Sequence, residues 1–199
     1  MTRALTVALI ALSLGVPCRH TAASEQREWI TLTNCQYVAG KEDDGDSFRV
    51  RCGTNEFIAR LYFVDAPETN LRYPERTREQ GEHFGATLDE TMKAGTAATD
   101  WVRQFLQAPF TVHTRWVTAG GRSKESRYYV LIEAGGKSLA EALVSQGLAY
   151  TKGATVYLPT GEKAKAYAAR LEALEQEARQ KRVGLWAHSA EQQTSSPPK

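Results

Sequence analysis

The chain has 199 residues, with 25 Lys and Arg against 23 Asp and Glu, a formal charge of +2 and three cysteines. That length suits one domain with a single core, and so small a charge excess argues against a protein that holds a polyanion by bulk attraction. Nor do the histidines, His20, His83, His113 and His188, fall at the spacing of a metal-binding motif.

The first residues, MTRALTVALIALSLGVPCRHTAAS, carry Arg3 and then an uncharged run from Ala4 to Pro17. The run is too short to span a bilayer but suits a secretory signal, and the small residues Thr21-Ala22-Ala23 place the cut after Ala23. Residues 1–23 are therefore predicted to be a signal peptide and the product to be secreted or periplasmic. A lipid anchor on Cys18 is the alternative, with Pro17 before it unfavourable. Cleavage removes Arg3 and Arg19, leaving 176 residues with 23 basic and 23 acidic side chains. Any nucleic-acid function must then come from a local cluster.

KEDDGDSFRV, residues 41–50, places Asp43, Asp44 and Asp46 within four positions of a hairpin tip. A solvated turn accounts for the composition, since Asp and Gly are what tight turns demand. Cys35 lies eight residues before Asp43 and Cys52 eight after Asp44. A hairpin centred between the two aspartates sets the cysteines opposite each other, and an exported chain favours a disulfide over the alternative of two buried thiols.

Phe48, Val50 and Cys52 alternate with polar residues, the mark of a strand with one face on a core. After the turn at GTN, EFIARLYFV continues as a strand to Val64, which makes a three-stranded meander, and Pro67 stops it. Residues 71–85 are strongly charged and read as a loop leading into a short helix, with a solvated face. A longer helix is predicted from about Lys93 to Gln107 on the stripe of Ala97, Trp101 and Phe105. FTVHTRWV and RYYVLIE are two more strands around the Gly120-Gly121 turn. Ser138 and Glu141 form a capping box for a helix stopped by Gly147, and a last helix runs from about Glu162 to Arg182 with Gly184 beyond it. The polar tail, 188–199, is predicted to be disordered.

Three strands, a helix, two strands and two helices give an α+β class. The architecture expected is a five-stranded OB-fold Greek-key β-barrel packed with three α-helices over residues 24–187, although the order alone also permits an open sheet.

Arg60 lies in an otherwise apolar strand, where a guanidinium needs an anionic partner, and Asp65, Pro67 and Glu68 follow at the strand's end. An Arg–Asp ion pair closing a barrel would satisfy these residues without any chemistry. Taken together, however, the Asp44-Gly45-Asp46-Ser47 turn, the Arg60 strand ending in Val64-Asp65-Ala66-Pro67-Glu68, the later Arg127, GGKSLAEALVSQGLA and the closing GLW resemble the staphylococcal-type nuclease, or thermonuclease, family. The resemblance spans roughly Trp29 to Trp186.

The resemblance implies a Ca2+ ion held by Asp46, Asp65 and the Ala66 carbonyl, an oxygen set suited to a hard cation. The family commonly has Thr where Ala66 stands. It further implies that Glu68 orients or deprotonates the attacking water, and that Arg60 and Arg127 stabilise the transition state. Arg122, Lys124 and Tyr128 are the expected substrate contacts, with Arg122 a rival for the second catalytic arginine. Glu125 stands where the family has a nucleotide-lining Tyr; Tyr128, Tyr129, Trp116 or Tyr157 are the available replacements.

The function so implied is an exported, monomeric, Ca2+-dependent nuclease. It would hydrolyse DNA and RNA with little sequence preference and leave 3′-phosphates. The alternative is a catalytically silent OB-fold module that binds nucleic acid or protein.

Overall fold

The computed structural model describes residues 27–120 and 125–190. The predicted signal peptide with Cys18, the tail from residue 191, and Arg122 and Lys124 lie outside the described residues.

A meander opens the fold: β1 (Ile30–Val38), β2 (Ser47–Cys52) and β3 (Asn55–Leu61). The acidic hairpin pairs Gln36 with Arg51, so Cys35 and Cys52 come opposite each other, and they are joined as a disulfide. Both cysteines are buried.

The strand expected to continue to Val64 breaks at Phe63, which takes a left-handed backbone at φ 69°. A bulky residue adopts that conformation only when its surroundings impose it. The Phe63 ring is buried against Tyr167, and its backbone bonds Ala154 and Lys152. Beyond the break, β4 (Val64–Asp65) pairs with β8 (Tyr150–Thr151) in a separate two-stranded sheet. The break redirects the chain into that second sheet, with Asp65 paired to Tyr150.

β5 (Phe110–Ala119), β6 (Arg127–Ala134) and β7 (Lys137–Ser138) complete a six-stranded sheet in the order β3-β2-β1-β5-β6-β7. β3 also pairs with β6 in parallel, Arg60 opposite Tyr129, so the sheet turns back on itself. Phe48, Val50, Ala59, Leu61, Val112, Val130 and Ile132 fill its interior.

Among the described residues there are four α-helices, where the expected architecture packs three. The additional one is α1 (Pro74–Phe84), in the charged stretch read as a loop and a short helix. Pro74 begins it and Gly85 ends it in a left-handed cap. Its buried face is Thr77, Gln80, Gly81 and Phe84, at helical spacing. α2 (Leu88–Phe105) begins five residues earlier than expected, because Thr87 and Glu90 form a reciprocal capping box. In α3 (Leu139–Ser145) Ser138 caps Glu141 N–H, while the Glu141 carboxylate pairs with Arg170 of α4 (Ala164–Gln180) instead of closing the box. A 3-10 helix, Gly184–Ala190, follows.

Two glycines set the layers at contact distance. A Cβ at Gly95 of α2 would lie 2.5 Å from the Glu68 carbonyl oxygen, and one at Gly45 would lie 2.7 Å from Ala98 Cβ and 2.9 Å from Ala66 Cβ. α2 is thus seated directly on the acidic turn and on the Pro67–Glu68 segment. Among the described residues no helix is long and apolar enough to cross a membrane.

Candidate active site

The hairpin tip divides its three aspartates between two tasks. Asp43 accepts hydrogen bonds from Tyr37 Oη at 2.6 Å and Gly40 N at 2.7 Å, which clasps the turn. Asp44 accepts the Asp46 N–H at 3.2 Å. Asp46 points inward and is 1% exposed.

Arg60 lies on β3 opposite Ser47 and reaches both buried acids: Nη1 donates to Asp46 Oδ1, and Nη2 to Asp65 Oδ1 at 2.7 Å. Asp46 Oδ2 accepts the Ala66 N–H at 2.9 Å. Asp65 Oδ2 accepts Tyr150 Oη at 2.9 Å and Gln80 Nε2 at 3.1 Å. Burial pushes the Asp46 carboxyl well above the usual range, against the pull of Arg60 and with the push of Asp44 and Asp65. Burial acts the same way on Asp65, but there the Arg76 and Arg60 guanidinia outweigh it and hold the carboxyl below that range. A pair of unequal carboxylates around one cation is the result.

Glu68 is held beside them. Its N–H donates to Gln80 Oε1 at 2.8 Å, and Oε1 of its carboxylate accepts Arg76 Nε. Burial raises its carboxyl above the ordinary value, opposed chiefly by Arg76. Gln80 therefore binds three neighbouring parts of the site: the Asp65 carboxylate, the Ala66 carbonyl at 2.9 Å and the Glu68 amide.

The donor set fits a hard cation in type. Asp46 and Asp65 already converge on one positive group, and the Ala66 carbonyl, which accepts one bond from Gln80, retains a second lone pair. Among the described residues no three His, Cys, Asp or Glu side chains are grouped to hold a metal ion. A cation here would therefore draw on two carboxylates, a carbonyl and solvent.

Arg127 is not part of this cluster. In the parallel β3–β6 register it lies opposite Ile58, while Arg60 lies opposite Tyr129. It shares the sheet face of Arg60 one pleat repeat away, roughly 7 Å along the strand. Its guanidinium donates to the Gly120 carbonyl at 2.7 Å, and its buried Nε–H has no partner among the described residues. Tyr128, an expected substrate contact, is not brought to this face: strand alternation turns it the other way, edge-on to Trp116 at 5.1 Å and Phe57 at 6.1 Å. Tyr129, one residue on, has the right face, stacked on Tyr62 at 4.7 Å. Glu125 grips Arg49 through both oxygens at 2.8 and 2.9 Å, so an ion pair stands where the family has a nucleotide-lining ring.

Three residues of the site escape the sequence reading: Arg76, Gln80 and Tyr150. Arg72 and Arg78 do behave as a solvated face, paired with Glu42 and Glu75. Arg76 does not, since it turns inward to Asp65 and Glu68. The available signal was the helical spacing of Arg76, Gln80 and Phe84, four residues apart.

Residues 59–188 match a family model described as staphylococcal nuclease homologue. No curated protein matches the chain.

Proposed function

The chain belongs to the staphylococcal nuclease family, and from that premise we propose that it is a Ca2+-dependent nuclease. It hydrolyses phosphodiester bonds of DNA and RNA with little sequence preference, on a sheet that we read as a five-stranded OB barrel. The observation that carries this reading is the Arg60 guanidinium spanning Asp46 and Asp65 beside the half-buried Glu68. Two acids built around positive charge, with a carboxylate base alongside, suit an anionic substrate and a hard cation better than they suit a passive binding surface.

The cation, when bound, neutralises charge on the phosphate. Asp46, Asp65 and the Ala66 carbonyl would hold it, and the loss of the family's Thr at Ala66 leaves a main-chain ligand intact. Glu68 takes the proton of the attacking water, its backbone fixed by Gln80. Arg60 offers its fork to phosphate oxygens. Arg127 adds the Nε–H that has no partner among the described residues. Cleavage of the P–O5′ bond leaves 3′-phosphates. The mature protein acts as an exported monomer after loss of residues 1–23, with Arg122 and Lys124, which fall between β5 and β6 in the sequence, capturing substrate.

Digestion of plasmid DNA and of RNA with Ca2+, and again with chelator, tests the reading. Cleavage that needs Ca2+ supports it. Binding of nucleic acid with no cleavage under either condition would favour the silent module instead.

A further inference from the structure

We propose that Arg76 is a third substrate arginine: it neutralises Asp65 and Glu68 until a divalent cation takes Asp65, and then binds a phosphate oxygen of the nucleic acid. The inference rests on the nuclease reading above.

Asp65 is saturated. Its Oδ1 accepts Arg60 and Arg76, and its Oδ2 accepts Tyr150 and Gln80. A cation that is to use this carboxylate must displace one of the four donors. Arg60 is anchored a second time by Asp46, and its side chain is only 13% exposed. Tyr150 Oη and Gln80 Nε2 are buried neutral donors, and Gln80 also holds Ala66 and Glu68. Arg76 is the exposed member, with 36% of its side chain open to solvent. A cation at Asp65 would also repel its guanidinium directly.

The helix beneath Arg76 stays in place when that contact breaks. His83 Nε2 meets Glu175 Oε1 at 3.2 Å, and Phe84 is buried with its ring 4.4 Å from that of Trp186. Only the side chain is free to move. Its Nε remains on Glu68, and the Nη2 released from Asp65 is then offered beside the base, where a planar fork matches phosphate oxygens.

Calorimetric titration of Ca2+ without nucleic acid, followed by steady-state cleavage, tests the proposal. Arg76→Met should bind Ca2+ at least about fivefold more tightly than wild type, since its competitor is gone. Arg78→Met removes the same charge from an exposed site on the same helix, paired with Glu75, and should leave the affinity within about twofold. At saturating Ca2+, Arg76→Met should raise KM at least about fivefold. Arg76→Lys keeps the charge without the fork, and it should show near wild-type Ca2+ affinity with a raised KM; it also covers the case in which the Met variant folds poorly. Ca2+ affinity of Arg76→Met no tighter than that of Arg78→Met, or an unchanged KM, would overturn the role. Wild-type protein that neither binds Ca2+ nor cleaves would instead overturn the nuclease reading, and this inference with it.

Discussion

Gln80 Oε1 accepts the amide of Glu68 at 2.8 Å, so a side chain from a helix outside the sheet fixes the backbone of the proposed base. Gln80 Nε2 in turn donates to the Asp65 carboxylate and to the Ala66 carbonyl. Gln80→Leu fills the space but leaves those buried groups without partners, which should lower stability by about 2 kcal/mol. Denaturant unfolding measures this, and cleavage should lose kcat more than KM because Glu68 is no longer held. Wild-type stability together with wild-type kcat would show that α1 is only a cover.

The Cys35–Cys52 bridge closes a loop around the acidic hairpin, with a sequence separation of 17. The chain-entropy estimate gives roughly 3 kcal/mol of stabilisation. For a domain of this size that corresponds to roughly 10 °C in Tm. Melting with and without reductant should show a fall of that order, and the Cys35→Ser, Cys52→Ser double variant should melt with the reduced protein. Equal melting temperatures would contradict a stabilising bridge.

Glu175 ties α4 to α1 and to β8: one oxygen meets His83, and the other accepts the Thr151 N–H at 2.7 Å. Burial works against its ionisation, but these contacts prevail and hold the carboxyl below the ordinary value. A depressed folded-state value means the stabilisation is complete above the unfolded glutamate's range, near ~4.3, and is lost as pH falls through the lower folded value. The Tm difference between wild type and Glu175→Gln should therefore be steady near neutrality and shrink below about pH 4. A difference that grows on acidification would contradict the assignment.

Arg127 and Arg122 separate by kinetics. Arg127 is fixed at the start of β6 by its bond to Gly120, so Arg127→Ala should depress kcat with KM little changed. Arg122→Ala should mainly raise KM, by a factor that shrinks as salt is added, because salt screens the same attraction in the wild type. The reverse pattern would make Arg122 the second catalytic arginine.

Much of the site was legible through the motifs of the family resemblance, whose residues also break a local pattern. Arg60 interrupts an apolar strand, Asp46 crowds a turn, and Asp65 and Glu68 close a strand before and after a proline. The cysteine pairing followed from symmetry about that turn, β2 followed from alternation, and β5 and β6 from the two runs that flank the Gly120-Gly121 turn. What stayed hidden depends on tertiary contact. Phe63's left-handed backbone comes from packing on Tyr167 and from bonds to Ala154 and Lys152, which no local pattern announces. The short helix expected in residues 71–85 is there as α1, but its inward face was masked by charge: Arg72 and Arg78 do face solvent, and Arg76 differs from them only in facing Asp65 and Glu68 across the fold. Tyr150 sits 85 residues from the carboxylate it serves. The one-residue choice between Tyr128 and Tyr129 turned on strand alternation relative to Arg60, which the parallel pairing of β3 and β6 supplies.

The central claim is cation-assisted hydrolysis at Asp46, Asp65 and Glu68, and the most direct measurement is single-turnover cleavage of a DNA oligonucleotide by wild type and Glu68→Gln at saturating Ca2+. The substitution keeps the shape of the side chain and removes its capacity to take a proton. The account predicts a rate at least ~100-fold below wild type, with Ca2+ affinity retained, as removal of a general base requires. A Glu68→Gln variant that cleaves at the wild-type rate, or a wild type that cleaves undiminished in chelator, would contradict it.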